Sequence, residues 1–111
     1  MAYDEQLAER IRALLAGEPD VVEQRMFGGL AFLVGGHIAA AASGKGGLMA
    51  RVEPEQTAVL LALPDVAPFE MRGRPMDGWL RVAPAGVATR EQLEPWVRRG
   101  LEHARSLPPK A

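Results

Sequence analysis

The stretch Arg25-Met26-Phe27-Gly28-Gly29-Leu30-Ala31-Phe32-Leu33-Val34-Gly35-Gly36-His37-Ile38-Ala39-Ala40-Ala41-Ala42 decides how this chain folds. Two glycine pairs divide it into apolar runs of strand length, too short for helices. Gly35-Gly36 is the two-residue connection typical of primed hairpin turns, which need positive φ. Gly28-Gly29 reads as a second tight turn or as a bulge. Strands are therefore expected over residues 22–27, 30–34 and 37–43. A looser hairpin through Ser43-Gly44-Lys45-Gly46-Gly47 leads to a fourth over 48–52.

Upstream, Leu7, Ile11, Leu14 and Leu15 fall at i, i+4, i+7 and i+8, one apolar face of a helix over residues 4–16. Asp4 is placed to cap its first amides, Gly17 to end it, and Pro19 forbids continuation. Downstream, Pro54 suits the first position of a short helix that Leu63-Pro64 ends. Residues 69–71 and 79–83 read as a strand pair around a Gly/Pro loop, Arg72 to Gly78. A last helix opens at Thr89 with Gln92 as a capping box and runs to Ser106. Pro95 within it implies an irregular first turn or a start near Glu94.

The order α-β4-α-β2-α carries no βαβ alternation. The expected class is α+β: a two-layer sandwich of a mostly antiparallel sheet with helices on one side. Its 111 residues make one domain, 1–111, with residues 108–111 as a disordered tail.

Composition narrows the function classes. Cysteine is absent, which removes disulfides, thiolate catalysis and cysteine zinc sites. The N-terminus lacks the apolar core of a secretory signal, and no apolar run approaches the roughly 20 residues of a membrane span. A cytoplasmic location without membrane contact is the expectation. The net charge of −1 supplies no global field for nucleic acid. Eleven of the thirteen cations are arginine, which codon usage in a G- and C-rich genome accounts for as simply as function does.

Phosphate sites fail on context. Gly44-Lys45 is followed by Gly46, not by Ser or Thr, so no Walker loop exists. Every glycine pair leads into a strand, whereas a dinucleotide fingerprint opens a helix. His37 and His103 lie in different elements without metal-ligand spacing and read as surface or turn residues. Ser43 and Ser106 lack a neighbouring base, while Glu53 and Glu55 suit a helix start. No catalytic residue, cofactor site or metal site is expected.

One constellation remains. If Leu48, Ala50, Val52, Leu80 and Val82 face the core, period two turns Met49, Arg51, Trp79 and Arg81 to the other face. Arg25, Arg72 and Arg74 are candidates to join them. The plain reading is a solvated strand face with acids paired nearby; against it, Met, Trp and Arg together form the composition of a protein contact surface. Its occupant would be a protein partner or a second copy in a homodimer. The alternative is direct binding of nucleic acid or another anion through these arginines. A small-ligand pocket near Phe27 and Trp79 is the third reading.

Taken together, MAYDEQLAERIRALLA, RMFGGLAFLVGGHIAA, LMARV, RGRPMDGWLRV and WVRRGLEHARSLP resemble the TfoX/Sxy N-terminal domain family, over roughly residues 3 to 107. The structural signature lies in Met26, Phe27, Gly28 and Gly29, supported by Gly73, Pro75 and Gly78. The resemblance implies a short, stand-alone bacterial member with a two-layer fold similar to that of type III secretion chaperones. It also implies a non-enzymatic interaction domain without cofactor. The family's namesake regulates natural competence, acting on transcription with a cyclic-AMP receptor protein, and carries a second, C-terminal domain. Related sequences often place cysteines where this chain has Ala39 to Ala42, so a thiol-dependent role is excluded.

Overall fold

The computed structural model describes residues 3–26 and 28–110. Helix α1, Glu5–Leu14, starts where the Asp4 carboxylate accepts from the amides of Gln6 and Leu7. Strands β1 (Val21–Met26), β2 (Gly29–Val34), β3 (His37–Ala42) and β4 (Leu48–Arg51) follow. A 3-10 turn, Pro54–Gln56, leads into the single-turn α2, Thr57–Leu60, shorter than the 54–63 helix expected from the sequence. Strands β5 (Val66–Met71) and β6 (Arg74–Val82), a second 3-10 turn (Pro84–Val87) and α3 (Arg90–Ser106) complete the fold.

All six strands form one antiparallel sheet in the order β1-β2-β3-β4-β6-β5. Val34 pairs with His37 across Gly35-Gly36, whose φ angles of 60° and 83° are those of a primed turn. Met26 pairs with Gly29, so the first glycine pair belongs to a hairpin and not to a bulge. Phe27 itself lies outside the described residues.

Two expectations need correction. The segment 72–78 is mostly strand: Arg72 and Gly73, with φ of 55° and 77°, make the turn, and β6 begins at Arg74. Pro75 is tolerated because β4 pairs with β6 only from Trp79 onward, so no neighbour needs its missing amide. The last helix runs from Arg90 straight through Pro95, anchored by the full capping box of Thr89 and Gln92. Near the C-terminus, Lys110 N–H donates to Gly35 O at 2.8 Å and His37 Nε2 meets Pro108 O at 2.7 Å.

Period two sorts the sheet into two faces. Leu30, Phe32, Ala40, Ala42, Leu48, Ala50, Leu80 and Val82 pack against Leu7, Ile11, Leu93, Trp96 and Val97 of the helices. A register shift at Phe32/Leu33 leaves Ala39 unpaired, beneath α3. There Gly100 sits so close that an added Cβ would overlap the Ala39 carbonyl oxygen. Two charged clamps tie the periphery. Arg105 on α3 reaches Glu18 and Asp20 in the α1–β1 connection, and Arg12 on α1 grips Glu23 on β1. No helix among the described residues is long and apolar enough to cross a membrane.

Gly100→Ala therefore forces α3 off the sheet. Overpacking of this kind costs about 1–3 kcal/mol, only partly offset by the roughly 1 kcal/mol advantage of alanine in a helix. A fall in Tm of several degrees by calorimetry is expected. The clamps give a second expectation. Hydrogen bonding to Arg105 holds the Asp20 carboxyl below its ordinary range, and Arg12 does the same to Glu23. Groups depressed in the fold stabilise it while ionised, and the contribution fades as pH falls below about 5. Arg105→Gln should unfold at lower temperature than the parent at pH 7, with the gap narrowing between about pH 5 and pH 3 when followed by circular dichroism.

Candidate functional site

No described helix or loop packs as a layer on the second face of the sheet, yet several residues there are buried. Ala31, Leu33, Ile38, Ala41 and Met49 form an apolar cluster, with Met26, Phe69 and Trp79 packed against it. Curvature explains the burial. Met26 on the edge strand β1 and Phe69 on the opposite edge strand β5 line the same two cavities. A flat sheet would hold edges five strand spacings apart at about 24 Å. The sheet is thus cupped, and its open face is a trough.

Registry builds the centre of that trough. Met49 pairs with Arg81 and Arg51 with Trp79, so these four residues make a two-by-two block on the central strands β4 and β6. Arg51 Cζ lies 4.3 Å from the centre of the Trp79 ring, and Phe69 leans on the same ring at 6.4 Å and 43°. Burial lowers the Arg51 pKa from its usual value. Among the described residues, neither Arg51 nor Arg81 has a carboxylate within salt-bridge distance. A half-buried cation stacked on indole and left without a counter-charge can receive a carboxylate from outside.

The other arginines go elsewhere. Arg25 pairs with Leu30, a core residue of the helix side, and shares its face with Glu23, which bonds Arg12. Arg25 therefore projects away from the trough. Arg72 and Arg74 stand exposed at the end of the β5–β6 hairpin. Met49, expected as an exposed contact residue, is only 6% accessible and forms the trough floor. Gly29 forms part of the wall of one cavity, and Gly28 and Gly73 serve their turns. Gly78, at φ 84°, is buried where its N–H donates to Thr57 Oγ1 and its carbonyl accepts from Val52. Phe27, proposed beside Trp79, lies outside the described residues.

Sequence reasoning missed most of the trough wall. Met26, Met49, Met71 and Met76, the four methionines beyond residue 1, line a single cavity of about 230 Å³. Their scattered positions gave no periodic signal; only the hairpin pairing brings them together. His103 was also misjudged as a surface residue. It lies on the buried side of α3, 6% accessible, with Nδ1 3.1 Å from Glu53 but off the axis of a hydrogen bond. Among the described residues no three His, Cys, Asp or Glu side chains converge as metal ligands.

The family model described as the TfoX N-terminal domain matches residues 13–104. The chain belongs to this family. No curated protein and no solved structure matches it. The matched span of this TfoX N-terminal domain contains every strand, α2 and nearly all of α3, and with them the whole trough except Lys110 at its rim.

Arg51 offers a test of whether the block is built for stability. Its stacking on Trp79 is worth roughly 0.5–1 kcal/mol at a partly exposed site. An apolar side chain of similar length recovers much of that by burial and removes an unpaired charge. Arg51→Met should leave the urea unfolding free energy within about 1 kcal/mol of the parent, whereas a larger loss would mark the block as a stabilising element.

Proposed function

We propose that this TfoX N-terminal domain is a non-enzymatic interaction module that holds a partner protein on the concave face of its sheet. The observation that carries the reading is the uncompensated Arg51 stacked on Trp79 within a methionine-lined trough. Concave, mostly apolar clefts with a few polar groups are the usual form of binding sites, and flexible thioethers adapt to varied side chains. The cations at the trough centre ask for a complementary acid. The partner is therefore a segment that presents apolar side chains beside an aspartate or glutamate. Regulation through such a captured segment is consistent with the family.

Nucleic acid fits the same surface less well. Tracking a phosphate backbone takes several cations on one face, and here Arg25 lies on the opposite side from Arg51 and Arg81.

Panning a random peptide library against the immobilised domain tests the reading. Enriched peptides should combine apolar positions with an acidic residue and should quench or shift Trp79 fluorescence. Arg51→Glu should weaken them at least about tenfold while the domain stays folded, since a charge-assisted contact is worth about 1.5–3 kcal/mol. Enrichment of basic peptides, or binding indifferent to Arg51→Glu, would overturn it. Salt-sensitive binding of a labelled duplex would replace it with the nucleic-acid reading.

A further inference from the structure

The end of the trough nearest the β3–β4 hairpin holds a second, larger cavity of about 440 Å³. That volume falls within the range of small-molecule sites, which are mostly apolar with a few polar groups that fix orientation. We propose that this cavity binds a small aliphatic monocarboxylate, independently of the partner segment assigned to the Arg51–Trp79 end.

Three features support the assignment. The space exists because its lining is small: Ala31 and Ala41 are buried methyl groups, and Gly29 has no room for a side chain against the Ala42 carbonyl. Met26, Met49 and Phe69 supply the apolar walls, and thioethers adjust to an alkyl chain better than branched side chains do. Polarity is concentrated in Lys45 and Arg81, with Glu70 as the only carboxylate of the lining. Two cations against one anion leave a single positive charge, which matches a monoanion and undercompensates a phosphate dianion. Arg81 has no salt bridge or side-chain hydrogen bond among the described residues, so its planar fork is available to a carboxylate.

The test uses the full chain labelled with 13C at the methionine methyl groups. Octanoate, octanol and inorganic phosphate are titrated separately, and the methyl resonances are followed by NMR. Octanoate should move Met26 and Met49 along a saturating curve and bind more tightly than octanol, with phosphate leaving both resonances in place. Arg81→Gln should weaken octanoate by about tenfold or more, the loss of one charge-assisted contact, without changing octanol. Ala41→Leu, which fills the floor, should remove both. If thermal unfolding shows that Ala41→Leu fails to fold, Arg81→Gln decides alone. The assignment is overturned if octanoate and octanol bind the parent equally, if Arg81→Gln binds octanoate as the parent does, if no methyl moves, or if only Met71 and Met76 move. None of these outcomes bears on Arg51→Glu, so peptide capture and ligand binding stand or fall separately.

Discussion

The contact between α3 and the β3 strand sets the terms for the rest of the molecule. Gly100 brings helix backbone against the carbonyl of Ala39, and the neighbouring β3 residues are alanines on both faces. Larger side chains at either place would lift the helix and open a void between the layers, with the loss of dispersion contacts that a void entails. Ala39 is also the residue at which the β2–β3 register shifts. A bulge increases local twist and bends its strand. The same position that seats the helix therefore lies where the sheet can begin to curve.

Curvature in turn makes the second face useful. With the helices gathered on one side, a flat sheet would expose Leu33, Ile38 and Met49 to water. Cupping brings Met26 and Phe69 from opposite edges toward a shared space and buries the floor without a second helical layer. The cost is a trough that cannot close, because its centre holds Arg51 and Arg81 rather than apolar side chains. A domain built only for stability would place leucine or isoleucine at these two central-strand positions. Among the described residues, Arg51 and Arg81 thus stand without a salt-bridge partner at the middle of an apolar surface.

Much of this was readable from residue order. The period-two pattern of Leu48, Ala50 and Val52 against Met49 and Arg51 depends only on the pleat, and β4 contains no bulge to disturb it. The glycine pair at 35–36 and the capping box at Thr89 are local signals with local causes, and both appear where their chemistry demands. What could not be read depends on pairing between distant segments. Arg25 looked like a member of the arginine surface until its pairing with Leu30 assigned it to the helix side. The gathering of Met26, Met49, Met71 and Met76 follows from the strand order, in which β6 lies between β4 and β5. The close approach of Gly100 carries no local signal, because the backbone it touches, that of Ala39, is some sixty residues away in sequence. His103 is buried for the same reason: α3 lies against the sheet on the face that carries it.

The glycine-rich hairpin between β1 and β2 joins the fold to the trough. Met26 ends β1 inside the trough, and Gly29 begins β2 against the Ala42 carbonyl on its wall. The turn that reverses the chain between them thus also sets the width of the larger cavity. A side chain at position 29 would overlap the Ala42 carbonyl and distort the hairpin. Gly78 plays a comparable part at the other end: its positive φ creates the irregularity in β6 that precedes Trp79, and its amide is secured by Thr57. Residues that look purely architectural in this family signature therefore also shape the trough on the second face of the sheet. Selection on either property would retain them.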